Sequence, residues 1–186
     1  MPKAMPKLSV SATTAKEAMI PSKANAKKVK AVSASQHILV VGATSLIAQQ
    51  AIHEWATQGA HLYLLARDAA KLATVAADAK VRGAEVRTGS YDTDISNADL
   101  RKLVGKVWDS WGGLDGVLLA HGWMPPQDSV QDNPDDVAAV IHVNGTSLLQ
   151  LLALLAPCFE KQQHGWIAAI SSVAACRGRA KLYTYG

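Results

Sequence analysis

Short apolar runs alternate along the chain with stretches whose apolar residues recur at helical spacing, and this alternation predicts the elements. His37 to Val41 is aliphatic and β-branched, as a buried strand is. The run breaks at Gly42, after which Ile47, Ala51, Ile52 and Trp55 share one face of a helix. Gln58-Gly59-Ala60 stops that helix, Gly59 suiting a C-terminal cap, and His61 to Ala66 reads as a second strand. Asp68 to Val81 places Leu72, Val75, Ala76 and Ala79 on one face of a second helix, which Gly83 closes. Further on, Ala84 to Thr88 predicts a strand and Asn97 to Trp111 a helix with Leu100, Leu103, Val104, Val107 and Trp111 inward. Leu114 to Ala120 predicts an almost wholly apolar strand, and Trp166 to Ile170 a fifth. Apolar strands separated by amphipathic helices predict an α/β fold: a doubly wound parallel sheet in three layers, with helices on both faces.

One stretch departs from the pattern. Val137 to Phe159 carries no formal charge and is long enough to cross a membrane. His142, Asn144, Thr146, Ser147 and Gln150 interrupt it and Pro157 stands near its end, so a core helix on the sheet is expected and no membrane contact.

Composition changes the picture mainly at the N-terminus. The chain has 186 residues, 49% of them hydrophobic, enough for one domain with a substantial core. Seven lysines against Glu17 give residues 1–35 a charge of +6, leaving −2 on the remainder of a chain whose net charge is +4. The basic character therefore belongs to an arm rich in Ala, Ser, Lys and Pro, expected to be disordered, and 36–186 forms the domain. Specific nucleic-acid binding is not expected. The arm lacks the apolar core of a secretory signal; it partly resembles an organelle transit peptide but contains no arginine, so a cytoplasmic location is expected with organelle targeting left open. Cys158 and Cys176 suit neither a metal knuckle nor a disulfide framework, which points to a reducing compartment and to no metal site.

Chemistry first suggests itself at Val40 to Ala48. A helix N-terminus presents unpaired N–H groups and the positive end of the helix dipole, so a strand feeding a tight glycine turn into a helix suits a phosphate. Of the three glycines in the usual dinucleotide fingerprint only Gly42 is present, with Leu46 and Ala48 at the other two places. Ala48 is a mild change, because that glycine mainly admits close helix packing; Leu46 is a larger one. A turn that binds no ligand is the alternative reading of the same residues.

From His37 to its end the chain resembles the short-chain dehydrogenase/reductase family. Gly42 to Ala48 takes the place of the family's Gly-rich turn, Asp92 that of the acid after strand three, Gly122 the end of the Asn-Asn-Ala-Gly segment, and Asn144 the helix-borne asparagine. Ser172 and Tyr185, thirteen residues apart after an Ile-Ser-Ser-Val strand end, match the catalytic serine and tyrosine; Ser171 and Tyr183 are the neighbouring alternatives. The resemblance implies a Rossmann fold, incomplete on its C-terminal side, and hydride transfer between NADP(H) and a small carbonyl or secondary alcohol. Tyr185 would act as general acid, Ser172 would hold the substrate oxygen and Asn144 would support a water relay. A tyrosine hydroxyl, with an ordinary pKa of about 10, needs a nearby cation for that work. The family's lysine four residues after the tyrosine would fall beyond Gly186, so the chain is expected to be a fragment, and assembly into a homo-oligomer is expected of a longer form.

Cofactor contacts are expected from Gly42, from the backbone of Thr44, Ser45, Leu46 and Ile47, and from Asp92, Ala120, His121 and Gly122. Asp92 has a competing reading as a turn-forming acid, and His121 as a strand cap. At the end of strand two, Ala66 stands where an acid would favour NAD, and Arg67 follows, able to pair with a 2′-phosphate, so NADP is favoured over NAD. A solvated arginine beside Asp68 is the plainer alternative. The rivals to the enzyme are an inactive nucleotide-binding Rossmann protein and a truncated product without function.

Overall fold

In the computed structural model, residues 36–186 are described; the expected basic arm, residues 1–35, lies outside them. The aliphatic run His37–Val41 forms β1, followed by α1 (Leu46–Thr57), β2 (His61–Ala66), α2 (Ala69–Val81), β3 (Glu85–Ser90), α3 (Asn97–Asp109) and β4 (Gly116–Leu119). A short α4 (Gln127–Val130) and α5 (Pro134–Ile141) lead through a π-helical turn (His142–Thr146) into α6 (Ser147–Gln162), then β5 (Trp166–Ala169) and two 3-10 turns. The five strands are parallel in the order β3-β2-β1-β4-β5. The predicted α/β doubly wound sheet is therefore the observed one.

Strand side chains alternate between the two faces of the sheet, and this sorts the core into two layers. Ile38 and Val40 of β1, with Leu62 and Leu64 of β2, pack against Ala48, Ile52 and Ala56 of α1 and Leu72, Val75 and Ala79 of α2. Leu39 and Val41, with Leu65 and Leu119, pack against Leu100, Val104 and Val107 of α3 and Leu151 and Leu155 of α6. Each fully buried aliphatic side chain contributes about 1.5–3 kcal/mol, so this double-sided burial is the main stabilising contribution. Ala48 has no exposed surface, as expected of a position where the helix must approach the sheet.

Several boundaries differ from the sequence expectation. β3 runs from Glu85 to Ser90 rather than Ala84 to Thr88, because pairing with β2 continues through Leu65↔Gly89 and Ala66↔Ser90. An edge strand keeps its ladder without apolar side chains, so periodicity underestimates it. α3 ends at Asp109, which frees Trp111 to stack on His37 with ring centroids 4.9 Å apart. β4 is shorter than Leu114 to Ala120, although Ala120 N still donates to Val41 O at 2.8 Å. β5 stands at a sheet edge.

The expected core helix Val137 to Phe159 needs the largest correction. Helical structure runs from Pro134 to Gln162, long and apolar enough to cross a membrane, yet only 17% of its most apolar stretch is buried. Ser147, Leu151 and Leu155 face the sheet, whereas Leu149 is 65% exposed. It is a helix packed on one side, not one enclosed in the core.

Candidate functional site

The sheet order reverses direction between β1 and β4, and open α/β sheets form a crevice at such a point beyond the strand C-termini. A cleft of about 990 Å³ opens there, lined past β1 by Gly42 and Thr44, around the end of β2 and the start of α2 by Ala66, Arg67, Asp68 and Lys71, and past β3 by Tyr91 to Asp94. Its remaining walls are His121, Gly122 and Trp123 after β4, and Ala138, Ala139, His142 and Val143 of α5 and the π turn.

Gly42 makes this geometry possible. Its φ is +81°, and a Cβ there would stand 2.5 Å from His121 N and 2.8 Å from Ala120 C. The glycine is therefore required by the approach of the β4 end as much as by a ligand. Ser45 caps α1 by backbone conformation but its side chain makes no capping bond, so the first-turn N–H groups of α1 receive no side-chain acceptor. Leu46 and Ile47 are 80% and 58% exposed at that turn, and neither they nor Ser45 line the cleft.

Arg67 is exposed on the cleft wall and forms no ion pair among the described residues. Asp68, its expected neighbour, is engaged elsewhere: its Oδ1 accepts from Lys71 N at 3.0 Å and Lys71 Nζ lies 3.5 Å from its Oδ2. The Lys71 backbone bond holds the Asp68 carboxyl below the usual carboxylate range. Asp92 lines the cleft and also belongs to a turn, in which Ile95 N donates to its carbonyl at 3.2 Å.

Asn144 lies on the π turn, a form that recurs at functional sites. Its Oδ1 accepts from Trp123 N at 2.9 Å, and its Nδ2 donates to Trp123 O at 2.7 Å and Val140 O at 3.0 Å. In this structure the amide clamps the loop after β4. His121 is one of the residues lining the cleft, and its Nε2 lies 3.0 Å from Ser147 Oγ. Burial pushes its pKa below the ordinary histidine value and that of neighbouring Tyr91 above the ordinary phenol value.

Ser172 and Tyr185 stand apart from the cleft lining. Ser172 Oγ accepts from Ala174 N at 3.1 Å, which starts a 3-10 turn and leaves the hydroxyl hydrogen uncommitted. The segment carrying Tyr185 is anchored one residue earlier: Gln127, almost wholly buried, donates to Thr184 Oγ1 at 2.7 Å and accepts from Thr184 N at 3.0 Å. Gln127, Tyr91, Trp123 and His142 escaped the sequence reading. Only the general rule that residues just past strand ends line such a crevice would have found Tyr91 and Trp123. No group of three or more metal-ligating side chains occurs among the described residues.

The family model for short chain dehydrogenase matches residues 36–186. An uncharacterised oxidoreductase in the mprA 5′ region of Streptomyces coelicolor is 31% identical over 150 residues, which is 80% of this chain and 59% of that protein. The chain thus spans about three-fifths of the length of such relatives. Among solved structures, a short chain dehydrogenase from Shigella flexneri complexed with NADP is 26% identical with a TM-score of 0.73, covering 81% of this chain and 65% of that one. NAD⁺-bound xylitol dehydrogenase is also 26% identical, with a TM-score of 0.74 and coverage of 83% and 59%. Sheet order, the glycine turn and the match across the described residues lead to one conclusion: the chain belongs to the short-chain dehydrogenase family of oxidoreductases.

Proposed function

We propose that this chain is the nucleotide-binding part of an NADP-dependent oxidoreductase that interconverts a small-molecule carbonyl and its secondary alcohol. The observation that carries the cofactor choice is Arg67, exposed on the cleft wall with Ala66, not an acid, at the end of β2. A guanidinium there would pair with a 2′-phosphate, Ala66 brings no charge to repel it, and the nearby Asp68 carboxylate is engaged by Lys71. The likeness to an NADP complex supports this reading, while the NAD⁺-bound relative shows that the fold accepts either cofactor.

The residues present fit a dinucleotide. The cleft is large enough, and the first-turn N–H groups of α1, those of Leu46 and Ile47 among them, lack a side-chain cap, so they would hold the pyrophosphate beside Gly42 and Thr44. Asp92, Ala120, His121 and Gly122 would hold the flanking nucleoside. When bound, the nicotinamide supplies the hydride. The Tyr185 hydroxyl would deliver the proton to the carbonyl oxygen, and Ser172, with its hydroxyl hydrogen uncommitted, would donate a hydrogen bond to that oxygen. Asn144 would keep the loop after β4 in place through its two bonds to Trp123.

Titration with NADPH and NADH, followed by energy transfer from tryptophan, tests the proposal. NADPH is expected to bind at least about tenfold tighter, the value of a charge-assisted contact of some 1.4 kcal/mol. Equal affinities would remove the role of Arg67, and binding of neither would refute the nucleotide site.

A further inference from the structure

Three elements meet at one buried oxygen behind the cleft. Ser147, at the start of α6, has no exposed surface, and its single hydroxyl hydrogen is donated to Val143 O at 2.9 Å. The oxygen is left with lone pairs only, so His121 Nε2, 3.0 Å away, must carry a hydrogen and donate it. That choice of tautomer makes Nδ1 a bare acceptor, and Nδ1 is buried with no partner. From the end of β3, the Tyr91 ring meets the imidazole edge-on, with ring centroids 5.5 Å apart. Tyr91 and His121 are themselves walls of the cleft.

We infer that His121 is a positioning residue: as a neutral Nε2–H imidazole it ties the end of β4 to α6 through Ser147, and protonation at Nδ1, which charges the ring where nothing pairs with it, drives the ring from that seat and weakens nucleotide binding. The inference rests on the nucleotide reading above. A proton on Nδ1 would place a charged N–H where the structure offers no acceptor, and an unpaired buried charge is not tolerated. The groups that face the imidazole across the cleft do not rescue the charge. Tyr91, Asp92 and Asp94 stand at the end of β3, His142 on the π turn, and Arg67, Asp68 and Lys71 past β2. None pairs with His121; Asp94 lies 3.6 Å from His142, and Asp68 is held by Lys71. Burial lowers the pKa of His121 in the same direction as this geometry requires.

The test compares the native chain with His121→Gln, which keeps an N–H donor near the Nε2 position but does not titrate, and with Ser147→Ala, which removes the acceptor. Imidazole ¹⁵N spectra are expected to show one histidine with hydrogen on Nε2 alone, absent from His121→Gln and freed from its fixed tautomer in Ser147→Ala. NADP⁺ affinity is measured by calorimetry at about pH 8 and about pH 5.5, on either side of the ordinary histidine pKa of about 6.5. The native chain should lose about two- to fivefold more affinity across that interval than His121→Gln, a ratio from which the ligand's own phosphate titration cancels. Hydrogen on Nδ1, or identical pH profiles for the two proteins, would overturn the inference. Should no variant bind NADP⁺ at any pH, the nucleotide reading fails and the binding clause with it. The ¹⁵N signature and the pH dependence of the unfolding midpoint, native against His121→Gln, would then decide the tie alone, and equal dependences would reject it.

Discussion

Gly42→Ala separates a glycine needed by the fold from one needed by a ligand. The residue has φ of +81°, which costs a side-chain-bearing residue about 1–2 kcal/mol. The new Cβ would also lie 2.5 Å from His121 N and 2.7 Å from His121 Cα, both backbone atoms. Neither side yields easily: Ala120 N is bonded to Val41 O at 2.8 Å, and Gly42 N and Ala43 N both donate to Leu65 O, at 2.9 and 3.0 Å. Relief requires prying β4 from β1, adding about 1–3 kcal/mol as overpacking does. The expected loss is therefore about 2–5 kcal/mol, read by urea unfolding without nucleotide, with a fall in Tm of about 2–4 °C for each kcal/mol. Leu46→Gly, at a side chain 80% exposed, should cost no more than about 1 kcal/mol. A loss below about 1 kcal/mol for Gly42→Ala would refute the argument, since strain and overlap alone exceed it.

Other outcomes follow from the site and from the opposite end of the sheet. Arg67→Ala should weaken NADPH binding by about 1–3 kcal/mol while sparing NADH; equal losses in a calorimetric titration would reject the 2′-phosphate contact. Asn144→Asp loses the donor to Trp123 O and Val140 O and turns a carboxylate toward both carbonyls. A stability loss of about 1–3 kcal/mol and altered Trp emission are expected, and an unchanged Tm would deny the clamp. His37 has its pKa lowered first by burial and then by His61 nearby, with Asp115 opposing. The unfolded chain therefore binds the proton first: this contribution is complete above the unfolded value of about 6.5 and declines as pH falls through it toward the lower folded value. In His37→Gln the fall of Tm between about pH 7.5 and pH 5.5 should be shallower, and an identical slope would exclude His37. Gln127→Ala should loosen the segment bearing Tyr185, seen as faster amide exchange at Thr184 and Tyr185; unchanged exchange would show that the two bonds to Thr184 do not anchor it.

What the sequence shows clearly is whatever depends on period and composition. The runs of β1, β2 and β4 and the apolar faces of α1, α2 and α3 mark themselves, because a strand buried on both faces must be apolar throughout and a covering helix on one side only. β3 was legible only in part, since its outer residues Arg87, Thr88 and Ser90 are exposed and its extent is set by pairing with β2. In the stretch from Pro134 to Gln162, uniform apolarity hid both the π turn and the exposed face, neither of which has a period of its own.

The candidate site divides in the same way. Gly42, Asn144 and Arg67 were readable because each follows a local pattern: a break after a strand, a motif position, a residue past a strand end. The tertiary structure alone decided their work, making Gly42 the point where the segment after β4 leaves no room for a Cβ and Asn144 a clamp on Trp123. It also joined residues that no local pattern connects: Tyr91 packs edge-on against His121, which meets Ser147, and Gln127 grips Thr184 across 57 residues. Hydrophobic periodicity records only which side of an element faces inward. Which polar atoms meet there depends on strand order and crossover path, and these exist only once the sheet has formed.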